Sequence, residues 1–303
     1  MATLTRSPVL SIRTSYDDIH RSIGRLDEVL DIAGIRAVRK IGIKINLCDA
    51  RTPDTGAITD PRFLDALLEW LRGLNADAEV AVLESDGLSV LADNYRDWFG
   101  IDEILDKWQA GWINLTREPQ VPTTIPGRHL KEVPVPRILK EAYLISLSKL
   151  KTNLLSTITC ALKNQYGCLP MVDKFKYHPD LSDVITDINL AVPVKAFIVD
   201  GILGHGGIQG PAFGTPIHAG VVLAGRDPVA VDAACCKVMG YRPTLVGHVR
   251  KCWLSGLGSI RYELLGDPLP DVDFENKGLE TRVFRMGGAI KRFYQRLDRR
   301  RSA

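Results

Sequence analysis

Up to Ser85 the chain alternates two hydrophobic periodicities, and this alternation narrows the choice of fold more than any other feature. VLSIRT (9–14), IGIKINL (41–47) and AEVAVLES (78–85) are short apolar runs of strand length. Between them lie two segments with helical spacing. YDDIHRSIGRLDEVLDIAG (16–34) places Ile19, Ile23, Leu26, Val29 and Leu30 at helical intervals. TDPRFLDALLEWLRG (59–73) offers Thr59 or Asp60 as N-cap, Pro61 at the first helical position and Gly73 just past the end. A β-α-β-α-β opening implies a parallel sheet with right-handed crossovers.

The later chain keeps the alternation. LSVLADNYRDWFG and IDEILDKW read as helices, and the proline-rich REPQVPTTIPGRHLKEVPVPR as short edge strands or a connecting arm. AYLISLSKL (142–150) reads as a buried strand and LLSTITCALKNQYG (154–167) as a helix closed by a left-handed Gly167. LSDVITDINLAV is helical, KAFIVDG (195–201) and AGVVLAG (219–225) are strands, and DPVAVDAACCKVMG (227–240) is a helix. The stretch DGILGHGGIQGPAFGTP (200–216) holds six glycines and reads as a flexible loop over a crevice, with His205 and Gln209 as its polar reach. The expected fold is α/β, with a largely parallel, doubly wound sheet and short irregular β segments in the middle. It would occupy 1–270, with lobes 1–140 and 141–270 around a crevice, and a basic extension would follow at 271–303.

Several classes are excluded. No run approaches the roughly 18 apolar residues that span a bilayer, and the N-terminus lacks a signal-peptide core, so the expected location is cytoplasmic. The six cysteines form no C-x-x-C pair and no zinc-ribbon spacing; most lie among apolar residues, where cysteine behaves as a small hydrophobe. The histidines show no H-x-x-x-H or H-E-x-x-H spacing. No G-x-S-x-G supports a hydrolase elbow. The glycine-rich stretch leads into a further strand rather than a helix and no GK[ST] occurs, so a Rossmann-type dinucleotide and a P-loop are not expected. Net charge is +3, but from Arg282 onward eight basic residues face one acid, Asp298. That tail could dock on an acidic partner or surface; the body is not basic enough to suggest a nucleic-acid-binding protein.

Polar residues interrupt the apolar pattern in a repeated way. Lys44 and Asn46 share one face of IGIKINL, where a parallel-sheet strand is usually apolar throughout. Lys149 and Lys151 share a face at the carboxyl end of SLSKLKTN, followed by Thr152 and Asn153. On a helix from Leu154, Ser156, Thr159 and Lys163 would share a face beside Tyr166, with Asn164 adjacent. Ligand crevices in open α/β sheets lie outside the carboxyl ends of the strands. Ammonium groups there, backed by amides and hydroxyls, suit a carboxylate or phosphate. Taken singly, each also has a structural explanation: a wet edge strand for Lys44, a helix dipole for Lys163. Asp86 and Asp200 sit at strand ends as candidate metal ligands or acid/base groups, whereas Asp227 before Pro228 is a helix N-cap with Asp232 a turn later.

KINL, TDPRFLDALLEWL, SLSKLKTNLLSTITCALKNQYGCLP, IVDGILG with GPAFGTP, and GVVLAGRDPVAVDAACCKVMG, in this order, resemble the DUF362 family. The resemblance spans roughly residues 9–270 and leaves the basic tail outside. The family's K-x-N-L strand, K-L-K-T-H segment, A-L-K-N-x-x-G helix end and D-P-V-A-V-D segment fall on Lys44, Asn46, Lys149, Lys151, Lys163, Asn164, Gly167, Asp227 and Asp232. Asn153 stands where the family often has histidine. The cysteine-rich ferredoxin-like insertion of many members is absent, so no iron–sulfur cluster is expected. The resemblance implies a shared crevice and names no reaction.

The expected function is a cytoplasmic enzyme acting on a small anionic substrate. Lys163, Asp86 and Asp200 are its candidate catalytic groups. Lys44, Asn46, Lys149, Lys151, Thr152, Thr159, Asn164, His205 and Gln209 would bind substrate, and a divalent metal is an optional assistant whose ligands stay unassigned. Burial would lower a lysine pKa and make Lys163 a base or Schiff-base nucleophile. The alternative is a non-catalytic protein that holds an anionic metabolite or metal complex for delivery; a redox scaffold is a third, lesser possibility.

Overall fold

The computed structural model describes residues 6–48, 50–88, 90–207 and 214–274 in full, and the backbone alone of 208–210 and 213. The basic tail from Arg282 and the Gln209 side chain therefore lie outside the described residues.

Eleven strands follow one another along the described chain: β1 (Ser7–Arg13), β2 (Lys40–Lys44), β3 (Glu79–Glu84), β4 (Gly111–Asn114), β5 (Gln120–Thr124), β6 (Glu132–Pro136), β7 (Tyr143–Asn153), β8 (Thr157–Ile158), β9 (Ala196–Gly210), β10 (Phe213–Gly225) and β11 (Tyr262–Gly266). The main sheet runs β11-β1-β10-β9-β7-β2-β3-β4, with β8 paired to β7 off this path. Along that path only β10 runs antiparallel to its neighbours. β5 and β6 form a separate antiparallel pair, the proline-rich arm expected from the sequence. β1 lies between β10 and β11, so strands from both halves of the chain share one sheet.

Helices cover both faces, as a doubly wound sheet requires. On one face Phe63, Leu64, Leu67 and Leu71 of the helix Pro61–Leu74 join Ile41, Ile43 and Ile45 in one core. On the other, Val184, Ile185 and Ile188 of the helix Leu181–Ala191 and Val229, Ala230 and Ala234 of the helix Pro228–Val238 join Leu83, Leu144, Val199 and Leu223. Each large apolar side chain buried this way contributes about 1.5–3 kcal/mol. Both helix starts use the capping chemistry written in the sequence. Asp60 accepts from Arg62 N–H ahead of Pro61, and Asp227 accepts from Val229 and Ala230 N–H ahead of Pro228.

Three segments differ from their sequence-based expectation. The stretch 16–34 is a helix Ile19–Ser22, a 3₁₀ segment Ile23–Glu28 and a new helix from Ile32, rather than one helix. Gly24 weakens helix continuation, and the Asp31 carboxylate caps Gly34 N–H to begin afresh. The glycine-rich stretch is no loop: β9 and β10 carry it as a long antiparallel hairpin. Finally, the helix expected over 154–167 is only Cys160–Asn164, followed by a 3₁₀ turn Gln165–Cys168. β7 runs on to Asn153, whose side-chain oxygen accepts from the N–H groups of Leu155 and Ser156 and turns the chain. The helix can start only at Cys160, where the Asp232 carboxylate receives Ala161 and Leu162 N–H at 2.7 and 3.2 Å.

The crossover from β2 to β3 leads away from β7, and the path from β7 to β9 leads the opposite way. β2 and β7 are therefore the adjacent strands at which the winding reverses, the place where open α/β sheets leave a crevice.

Candidate functional site: a lysine-lined recess at the strand ends

A cavity of about 310 Å³ opens at that reversal, lined by residues at or just beyond the carboxyl ends of β2, β3 and β7 and by the segments 159–167 and 172–178. Among the described residues five cationic side chains line it, Lys44, Arg51, Lys151, Lys163 and Lys174, with the two carboxylates Glu84 and Asp86.

Its base is an ion pair. β2 is a central strand, not the wet edge that would have explained Lys44 cheaply. Lys44 Nζ lies 2.6 Å from Glu84 Oε1, with both side chains under 5 % exposed. It also donates to Ile45 O at 2.7 Å. The same carboxylate accepts from Leu47 and Ser85 N–H, both at 2.9 Å. Burying two charges costs several kcal/mol each, and this dense set of partners offsets it. Gly167 packs directly above: a Cβ there would sit 2.7 Å from Lys44 Nζ and 3.0 Å from Glu84 Oε1. Gly167 is thus needed for close approach; its φ is not positive, so it is not the left-handed cap expected from the sequence.

A chain of amides joins the walls. Lys151 Nζ donates to Asn46 Oδ1 at 2.7 Å and to Ala57 O at 2.6 Å, and contacts Cys48 Sγ at 3.1 Å. Asn46 Nδ2 donates to Asn164 Oδ1 at 3.0 Å, and Asn164 Nδ2 donates to Ser146 Oγ at 3.0 Å. Lys44, Asn46, Lys151, Thr159, Lys163 and Asn164, far apart in sequence, therefore converge on one recess.

Two groups there stand apart. Among the described residues Lys163 Nζ meets no carboxylate and no hydrogen-bond acceptor. Burial, reinforced by the nearby Lys151 ammonium, pushes its pKa down to about 8. Thr159, 2 % exposed, leaves Oγ1 without a partner; buried hydroxyls are rarely left so. Three rings line the same recess: Phe175 and His178 with centroids 4.4 Å apart, and Tyr166 6.4 Å from His178. Burial, with Lys163 close by, pushes His178 down to about 4 and leaves it neutral at pH 7. Lys174 donates to Ser85 Oγ and Asp86 O, and burial pushes it down to about 8.

Other residues singled out from the sequence lie elsewhere. Lys149 faces Asp200 across the β7–β9 pairing at 2.7 Å, both fully buried, and Tyr16 OH donates to the same carboxylate at 2.9 Å. This sealed pair is separate from the recess, because the strand alternation that places Lys149 and Lys151 on one face says nothing of what covers each. Thr152 Oγ1 donates to Gly207 O, and His205 bridges Arg51 and Thr55 O from within β9; neither lines the recess. Asp86 does, but its Oδ1 is occupied by Ala92 N–H and Asn114 Nδ2. Ser156 precedes the helix and bonds Asn153 and Ile158 O. Tyr166 was expected beside Lys163, but Lys174, Phe175 and Arg51 were not expected at the site; the K-F-K-Y-H run at 174–178, cations interleaved with rings, is the signal for the first two, and nothing in the sequence marks Arg51.

One further group has metal-ligand spacing. A ligand atom each from Cys160, Asp232 and Cys235 lies within 4.8 Å of the others, all buried. These residues are in the core beneath the helix Cys160–Asn164 rather than in the recess. Asp232 caps that helix, and burial holds the Cys235 thiol well above its usual range. The trio could hold a metal ion, and equally it packs as two thiols beside a helix cap.

Fold and site together define a doubly wound α/β protein with a cation-rich recess at the ends of its central strands. The family model for DUF362, a domain of unknown function, matches residues 41–237, and the chain belongs to that family. A thylakoid-associated protein of Synechocystis sp. is 29 % identical over 121 residues, which cover 36 % of this chain and 37 % of that relative's length. The match thus spans little more than a third of the relative. Among solved structures, the lactate racemase apoprotein of Thermoanaerobacterium thermosaccharolyticum shares 13 % identity with a TM-score of 0.39, over 83 % of this chain and 57 % of that one. No helix among the described residues is long and apolar enough to cross a membrane.

Proposed function

We propose that the protein is an enzyme acting on a small anionic substrate, a carboxylate or phosphate compound, held in the lysine-lined recess. The observation that carries this reading is the unpaired Lys163 ammonium beside the unpartnered Thr159 hydroxyl. The protein supplies partners for Lys44, Lys151 and Lys174 and leaves these two groups open. An oxyanion seated between them would complete both. Lys151, 2 % exposed and fixed by Asn46, adds a second positive charge. With a pKa of about 8, Lys163 is mostly protonated at pH 7, yet its neutral amine is within easy reach. It can therefore hold an anion, or accept a proton at Nζ from carbon or oxygen. We place this activity in the cytoplasm.

Native mass spectrometry of the full-length chain as purified would identify a bound anion. Incubating that compound with the protein should convert it, and Lys163→Met should abolish conversion while the protein stays folded. Release of the compound unchanged by wild type would favour the delivery reading. Wild-type protein that binds neither acetate nor inorganic phosphate more tightly than Lys163→Met does would sink both.

A further inference from the structure

Resting on the anion-binding reading, the recess also carries information about the rest of its ligand. Its volume of about 310 Å³ falls within the range of organic ligand pockets, about 300–1,000 Å³, where a bare oxyanion would leave most of it unfilled. Lys151, Thr159 and Lys163 line it together with three rings, those of Tyr166, Phe175 and His178. Phe175, the imidazole of His178 and Tyr166 form a tilted row of rings, with Tyr166 fixed by donation to Lys174 O at 2.5 Å. At the rim, Leu88, Val172 and Phe175 are 56 %, 38 % and 59 % exposed, although all three line the recess.

We propose that the ligand is an organic anion with a flat apolar body: its carboxylate or phosphate head meets Lys163, Lys151 and Thr159, and an aromatic or conjugated plane lies against Phe175 and His178. The rim residues Leu88 and Val172 then cover the edge of that plane. Stacking on these rings sets the preference for a flat body over a bulky saturated one, since offset or tilted ring contacts add to simple burial.

Calorimetric titration of the full-length chain with acetate, inorganic phosphate, benzoate, phenyl phosphate and cyclohexanecarboxylate tests this. Benzoate should bind at least tenfold more tightly than acetate, and phenyl phosphate at least tenfold more tightly than inorganic phosphate; the larger gain tells which head group the site prefers. Phe175→Ala, at an exposed position where folding is not at stake, should remove most of either gain and leave acetate and phosphate unchanged. Equal affinity with and without the ring, or a full gain retained in Phe175→Ala, overturns the proposal. Cyclohexanecarboxylate binding as tightly as benzoate overturns the flat body. If none of the five probes binds in a manner that responds to Lys163→Met, the anion reading itself has failed; binding of acetate and phosphate without a ring effect leaves that reading standing and removes only this one.

Discussion

Single residues in the recess divide into those with partners inside the protein and those without one among the described residues, and each kind predicts a different response to substitution. Glu84 belongs to the first. Glu84→Gln leaves Lys44 buried without a counter-charge, which costs about 3–5 kcal/mol; chemical denaturation should show that loss, and Lys44→Met with Glu84→Leu together should recover part of it. Gly167→Ala pushes a methyl against the same pair and should cost about 1–3 kcal/mol, read as a lower Tm. Lys163 belongs to the second kind. Its ammonium is lost as pH rises through about 8, so acetate, which does not titrate there, should bind progressively more weakly above pH 8, towards about tenfold per pH unit if this one proton controls binding. Lys163→Met should remove most of that slope.

At the scale of elements, the recess depends on where one short helix begins. Cys160–Asn164 has five residues and could not hold itself together in isolation. The Asp232 carboxylate, from the helix Pro228–Val238, receives its first N–H groups and fixes its start. Asp232→Ala should therefore act on the recess without touching it. Acetate affinity should fall along with stability, the latter by about 2 kcal/mol or more given a buried cap, whereas Asp227→Ala, at the N-terminus of the Pro228 helix, should lower stability and leave affinity nearly unchanged. The strands and the helix Pro61–Leu74 were legible in the sequence because periodicity and capping residues are local signals. The helix at 160–164 was not, because its first residue is set by a carboxylate 71 positions away, and an apolar run with lysine near its end reads alike whether it is one turn or three. The glycine-rich hairpin escaped for a related reason: glycine is as compatible with a bulged strand pair as with a loop, and pairing with β7 and β1 decides between them.

For the whole molecule, folding moves Lys163 and Lys174 from water to a recess where each has a pKa of about 8, below the usual 10.5. The sign follows directly. Between pH 8 and 10.5 these two lysines bind more protons in the unfolded chain, so their own contribution to stability rises with pH, while the buried thiols of Cys168, Cys235, Cys236 and Cys252, pushed up by burial, work in the opposite direction. Urea denaturation of wild type and Lys163→Met at pH 7.5 and 10 isolates the share of this lysine: between the two pH values wild type should change more favourably than the variant, by of order 1 kcal/mol or more. From its sequence alone the chain determines an α/β fold, its principal strands and helices, its membership of a family, and the residue types from which an anion site can be made. What only the tertiary structure decided is which lysines reach the recess. Lys149 and Lys151 are two residues apart on one strand face, yet one is sealed against Asp200 and Tyr16 while the other opens on the recess. Periodicity reports which way a side chain points. What it meets there comes from distant segments, and in a desolvated interior the neighbour sets whether a charge is spent or available.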